Sequence, residues 1–412
     1  DPVLHVLPGA NVTLRGVALR NGAAPGGLGG GIYNEGSLWL DHCLVADNTA
    51  DSGAGIANWG TLVLVSSLIS NNAAAFSGGG IHNGPGATVF ATNCTLTANT
   101  AQDGAGMFNE GTGVFAGSLV SSNFADGLVG NGGGFRSLAG LVQLVNCTVS
   151  GNLAAPATTL PATGLGGGFC VNGGVCEFYS STVAFNAASF HGGGISIAPG
   201  AQVHSRNSLF ANNNAPDSPD FGGTMYTDGY NLVQNGVGLA FAGAAPGDLW
   251  NVDARLDTLR DNGGPTMTHA LLTGSPAIDG GGPPSPFTDA RGLARPFDLP
   301  WIANPANGLD IGAYEFIDQS PYLILSNRTA AGFTLAWATN SVLQKTLALP
   351  AGWSDLTNPS PFFVSTLTNE QGYFRLRTTV TPVVLTTNSQ TTNGFILAWP
   401  GVGILEHAPA TA

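Results

Sequence analysis

The sequence predicts an all-β chain, most of it a right-handed parallel β-helix of about eight rungs. An irregular C-terminal cap and small immunoglobulin-like β-sandwich modules follow. Three observations predict this. A glycine cassette recurs: Ile32, Ile56, Ile81, Met107, Phe135, Phe169 and Ile195 each follow a glycine pair, a triplet or Gly-Ala-Gly, at spacings of 24, 25, 26, 28, 34 and 26 residues. Asparagines keep step with it at Asn21, Asn48, Asn72, Asn99, Asn123, Asn152, Asn186 and Asn212. From the second asparagine on, Cys43, Ser67, Cys94, Ser118, Cys147, Ser181 and Asn207 stand five residues earlier, and Val45, Ile69, Leu96, Val120, Val149, Val183 and Leu209 three residues earlier.

A repeat of this period is one coil of a solenoid, in which like residues stack from coil to coil. Successive coils lie about 4.8 Å apart, so about eight give a rod of roughly 40 Å. Period-two alternation turns Val45 and its equivalents inward, where branched side chains suit a pleated wall. Asparagine tolerates left-handed turns, and stacked carboxamides can hydrogen-bond along the rod. Glycines serve corners with positive φ or close backbone approach. The longest spacing holds APATTLPATG at 155–164, a loop insertion that leaves the register intact on both sides. A leucine-rich repeat would need a Leu-x-x-Leu-x-Leu frame and a calcium-binding β-roll GGxGxD runs; both are absent.

The rungs are expected over 1–227. From about residue 228 the repeat gives way to a Gly/Pro-rich text, read as an end cap over 228–318 that covers the open edge of the last rung. Asp279, Asp289, Arg291, Arg295 and Asp310 are expected to form ion pairs holding it, with His269 hydrogen-bonded into it. Residues 319–379 alternate like a β-sandwich: YLILS, GFTLAW, SVLQKTL, FFVST, GYFRLR. Residues 380–412 restart that text, Phe395, Leu397 and Trp399 repeating Phe333, Leu335 and Trp337. They are too short for a second sandwich, so the expectation is either a truncated sequence or strands that complete a neighbouring module in cis or in trans. The chain begins Asp1-Pro2 and reads as a processed or excerpted piece of something longer.

Composition narrows the function. The formal net charge is −13 and Lys345 is the single lysine, a poor match for nucleic acid or anionic lipid. No apolar run reaches the ~20 residues of a membrane helix. The five cysteines cannot all pair; Cys43, Cys94 and Cys147 read as small buried thiols, with a bridge between Cys170 and Cys176 left open. On the outward side, the column Tyr33, Ala57, His82, Phe108, Arg136, Cys170, Ser196 has no recurring chemistry. A second column, Trp39, Val63, Phe90, Val114, is more apolar than a solvated wall. Tyr33, Trp39, Val63, Phe90 and Phe108 are therefore the candidate interaction strip, for another chain or a glycan, unless a loop or the C-terminal modules cover it. The acidic residues of the rungs are scattered singly. His82 and His191 occupy different cassette positions, so neither catalytic residues, a metal nor a cofactor is assigned.

Two resemblances extend this reading. The GGGI…N cassette, over residues 1 to about 215, resembles the repeat of polymorphic outer-membrane-protein-type β-helices of bacterial surface proteins. The second follows in order: Asp253, Arg255, Leu256, Asn262, Gly263, Gly264, Pro265, Thr266 and His269; then Ser275, Pro276, Ala277, Ile278 and Asp279; then Asp289, Arg291, Gly292, Arg295, Pro296, Asp310, Ile311, Gly312 and Glu315. This set resembles the signature of the choice-of-anchor Q domain of secreted bacterial β-helix proteins. Tyr373-Phe374-Arg375-Leu376-Arg377 resembles modules that end such exoproteins. The resemblances imply an exported, cell-surface protein and no known reaction. The expected role is structural or adhesive, with possible self-assembly into filaments through the C-terminal strands; the alternatives are a polysaccharide lyase or glycoside hydrolase, or a glycan-binding module.

Overall fold

The computed structural model describes residues 1–127, 130–155, 164–243, 245–299 and 302–317, and eight strands between 323 and 398. Most of the insertion at 155–164 lies outside the described residues. Asp1–Phe316 form one compact unit and Ile317–Ala412 another. Among the described residues every regular element is a strand, and none is a helix long and apolar enough to cross a membrane.

The first unit is a parallel β-helix of about eight coils. Each coil contributes strands to successive walls, and every pairing between coils is parallel. The first wall carries the cassette aliphatics: Ile32 opposes Ile56, Ile56 opposes Ile81, and Ile81 opposes Met107. The second wall begins five to seven residues after the cassette aliphatic, with Ser37–Asp41, Thr61–Val65, Thr88–Thr92 and Thr112–Ala116 in register. On the third, Val45, Ile69, Leu96 and Val120 are vertical neighbours, all essentially excluded from solvent. A short fourth wall turns a file of alanines inward, Ala24, Ala50, Ala74, Ala101 and Ala125. The core changes character along the rod. Aliphatic residues fill the early coils, while Phe115, Phe135, Phe169, Phe178, Phe210 and Phe221 form a chain of stacked and edge-to-face rings in the later ones.

The glycine triplet has a separate reason at each position. Gly78 has φ of +65°, the left-handed region. A Cβ on Gly79 would lie 2.3 Å from the Thr100 carbonyl oxygen, and one on Gly80 would lie 2.6 Å from that of Gly106. Both would push neighbouring coils apart.

The asparagine file is a hydrogen-bonded ladder with one direction. Nδ2 of Asn48 donates to Oδ1 of Asn72 at 2.9 Å, and the pattern repeats through Asn99, Asn123, Asn152 and Asn186. The next rung is Asn213, which receives the Asn186 donor at 3.0 Å. Asn212, expected in the ladder, instead holds the left-handed turn with φ of 56°, as Asp47, Asn71 and Ala98 do one residue before their ladder asparagines. The expected final column therefore shifts by one residue: Phe210 faces Val183 and Ser208 accepts from Ser181. Asn21 also holds the turn, and Gly22 the ladder position. The left-handed corner and the ladder are thus consecutive residues with separate tasks. At the far end Asn213 Nδ2 donates to the Asp220 carboxylate at 2.8 Å. An acceptor-only group closes the file where all its N–H dipoles point.

The coil continues past residue 227: Leu232–Val233 and Leu249–Trp250 extend the third wall and Leu239–Ala242 the second. The segment expected as an end cap runs back along the flank of the rod, against the third wall. Thr266 Oγ1 donates to Gly117 O, Asn146 Nδ2 to Thr288 O, and the Ala313 N–H to Thr182 Oγ1. Its effect is visible within one outward file: Leu68 is 37 % exposed, whereas Leu119, two coils on, is 1 % exposed.

In the second unit the strands form a three-stranded and a five-stranded sheet. Val384–Thr391 pairs antiparallel with Tyr373–Arg377, and Gly394–Ala398 pairs with Val384–Thr391. The restarted text thus joins its own chain's sheet in cis.

Candidate interaction faces

Strand alternation fixes which side chains the rod can offer. The five residues expected as one strip divide between two walls with different environments.

On the first wall, Tyr33 and Phe108 belong to a continuous ribbon of rings. His5 stacks on Tyr33 at 4.8 Å, Trp59 meets Tyr33 edge-on at 5.9 Å, His82 stacks on Trp59 at 5.0 Å, and Phe108 on His82 at 5.0 Å. Trp59 enters from two positions later in its coil and fills the space left by Ala57. A Cβ on Gly84 would come within 2.8 Å of its indole. The ribbon ends in Arg136, over Phe108 and paired with Asp103. His82 and Phe108 are only 9 % and 8 % exposed. This is packing that ties coils together on their outer side.

His82 also lies 2.9 Å from Ser77 Oγ and 3.6 Å from Glu110, a serine, an imidazole and a carboxylate in sequence. Burial pushes its pKa down to about 4. A group so weakly basic is poorly matched to general-base work at neutral pH. Ser150 and His269 form a similar contact at 2.8 Å across the seam between rod and flank segment, with His269 Nδ1 on the Asp257 carbonyl. They border a cleft of about 270 Å³, but both side chains are buried and Phe185 stacks on the imidazole. The pair clamps the flank segment, as expected for a His hydrogen-bonded into that region.

On the second wall the geometry is open. Trp39, Val63, Phe90 and Val114 are successive vertical neighbours, and Trp39 and Phe90 are 46 % and 44 % exposed. Among the described residues the flank segment hydrogen-bonds to this wall only at its late end, where Arg206 donates to the Pro283 and Pro284 carbonyls. The file continues as Gln143, Glu177 and His204, so its apolar part is confined to the early coils.

The charged residues expected to tie the cap do gather in the flank segment, with different partners. Arg291 pairs with Asp289 at 2.7 Å, but Arg295 pairs with Glu315 at 3.2 Å, both side chains fully buried. Among the described residues neither Asp279 nor Asp310 has a cation within ion-pair distance. Their carboxylates accept backbone N–H groups, Asp279 from Leu299 and Asp310 from Asp279 and Phe316. A segment without a strand ladder must satisfy its buried amides in another way, and side-chain carboxylates do so here.

These buried acids set a pH dependence. Burial pushes Asp279 up to about 7 and Asp220 to about 6, and raises Asp310 and Glu315 too. These four acids bind more protons in the folded than in the unfolded chain between about pH 4 and 7, and they outnumber His82 and His269, whose lowered values act in the opposite sense, so stability falls as pH rises through that window. The urea midpoint is expected to be higher at pH 5 than at pH 8, with Asp279→Asn narrowing the difference. A midpoint that rises with pH would contradict this.

All five cysteines are buried thiols, Cys170 and Cys176 included. Burial raises Cys94 to about 11 and Cys147, Cys170 and Cys176 to about 12, which leaves them protonated and unreactive. No cluster of three metal-ligating side chains occurs among the described residues. Among the described residues no strand pairing sets two carboxylates opposite each other.

Sequence reasoning missed a second ladder. Asn34, Asn58, Asn83 and Asn109, buried at the bend between first and second walls, donate one to the next at 2.7, 2.8 and 2.9 Å. The signal was present: an asparagine two residues after the cassette aliphatic, four coils in succession.

Comparison with protein-family models gives no match, and neither do comparisons with curated proteins and with solved structures.

Proposed function

We propose that this chain is an extracellular or cell-surface β-helix rod, structural and adhesive, with the early second wall as its contact face. The observation that carries this reading is the exposed file Trp39–Val63–Phe90 on a parallel wall, while on the third wall the flank segment covers the coils from Leu119 on. Large exposed apolar side chains set in line mark interaction surfaces. The ordered likeness to choice-of-anchor Q sequences and to polymorphic outer-membrane-protein repeats supports export. In this reading the C-terminal sheets act as a spacer, and since the last two strands pair within the chain, assembly does not depend on donating them.

The test is retention of the purified chain on insoluble cell-wall and extracellular-matrix preparations. Retention that falls in Trp39→Ala/Phe90→Ala supports the reading. No retention on any preparation, or equal retention of the double variant, overturns it.

A further inference from the structure

The second wall has a repeat, a chemistry and a charge, and together they specify a ligand class. We infer that the file Trp39–Val63–Phe90 binds an extended, neutral, β-linked polysaccharide lying along the rod axis, with Trp39 and Phe90 as stacking platforms. This deepens the adhesive reading above and rests on it.

The spacing comes from the fold. Neighbouring coils are about 4.8 Å apart, so two exposed aromatic rings separated by one coil are roughly 9.6 Å apart along the rod. In an extended β-1,4-linked hexose chain every second ring presents the same face, at a repeat close to two coils. Val63, between the rings, is the smaller side chain that leaves room for the intervening sugar. A sugar's C–H face against an aromatic ring is a contact between an apolar surface and a π-system, as large rigid aromatics commonly provide.

The flanks of the file supply polar partners at the same period. Ser37, Thr61, Thr88 and Thr112 are vertical neighbours two residues before the apolar file, and alternation turns their hydroxyls to the same outer face. Each hydroxyl can both donate and accept, as sugar hydroxyls require.

Charge decides between polysaccharide classes. On these four strands the outward positions hold one charged residue, Asp41, and it is paired with Arg15 at 2.7 Å and His42 at 2.5 Å. No free cation stands there to meet a uronate, and the net charge of −13 opposes an acidic chain. A flat wall also suits the middle of a polymer rather than its end, since closed pockets serve small ligands.

Affinity electrophoresis of the whole chain tests this, in gels containing hydroxyethyl cellulose, polygalacturonate, dextran or no polymer. The expected result is retardation by hydroxyethyl cellulose alone, weakened about tenfold by Trp39→Ala or Phe90→Ala, the loss of one stacking contact. Tyr33→Ala, in the packed ribbon, should leave it unchanged. Val63→Phe/Phe90→Ala places the rings one coil apart and should not restore binding. Restoration would show mere hydrophobic adsorption and overturn the proposal, as would equal retardation by polygalacturonate or none by any polymer. If Trp39→Ala/Phe90→Ala abolishes retention on cell-wall or matrix preparations while no polysaccharide retards the chain, the polysaccharide assignment fails and the contact face stands. If the double variant is retained as well as the parent, both fail.

Discussion

Asn123→Leu is expected to lower the unfolding free energy by about 4 kcal/mol, with a side chain of nearly unchanged size. Asn123 is fully buried at mid-ladder. Its Nδ2 donates to Asn152 Oδ1 at 2.9 Å and to Leu96 O at 3.1 Å. Its Oδ1 accepts from the backbone and side-chain nitrogens of Asn99, each at 3.0 Å. Leucine satisfies none of these, and the two stranded Asn99 donors carry the desolvation penalty of buried unpaired groups, ~1–3 kcal/mol each. Each coil touches only its neighbours, so the damage should centre there. Urea unfolding measures the total, and hydrogen exchange over residues 96–152 shows where it falls. The exposed exchange Thr61→Leu should cost under about 0.5 kcal/mol. A loss below 1 kcal/mol for Asn123→Leu would mean that the ladder does not hold the coils in register.

Arg295→Met is the second large effect, and it should act on the flank segment. Arg295 and Glu315 are both fully buried, and Arg295 Nη2 also donates to the Gly312 carbonyl at 2.6 Å. Removing one partner of a buried pair strands the other charge, at a cost of about 3–5 kcal/mol. The amides of residues 279–316 should then exchange quickly and Leu119 and Thr182 should become accessible, while the early coils keep their protection. Arg295→Met/Glu315→Gln should regain part of the loss, since no buried charge is left alone. Unchanged exchange in Arg295→Met would show that the pair does not hold this segment to the wall.

Much of the rod is legible because a solenoid converts sequence period directly into spatial neighbourhood. Val45, Ile69 and Leu96 are 24 and 27 residues apart and lie directly above one another. The same local logic explains the one-residue slip at the last coil. In Ala211-Asn212-Asn213-Asn214 three identical side chains compete for the turn and the ladder, and only the hydrogen bonds distinguish them. The aromatic ribbon was half legible. Tyr33, His82 and Phe108 share a column, but Trp59 belongs to another and reaches the ribbon through the space that Ala57 and Gly84 leave.

The flank segment was legible in content and not in place. Its acids and arginines are plain in the sequence, yet nothing local tells Arg295 to prefer Glu315 or Asp279 to bond amides. Its attachment to the rod runs through contacts such as Ser150 with His269 and Gly117 with Thr266, more than a hundred residues apart and outside any repeat. The sequence by itself determined the coil, its period and its inward files, because those follow from alternation and from backbone hydrogen bonding between like units. Only the tertiary structure decided which outward file stays bare. That depends on where a non-repeating segment, with no ladder of its own, finds partners for its buried amides.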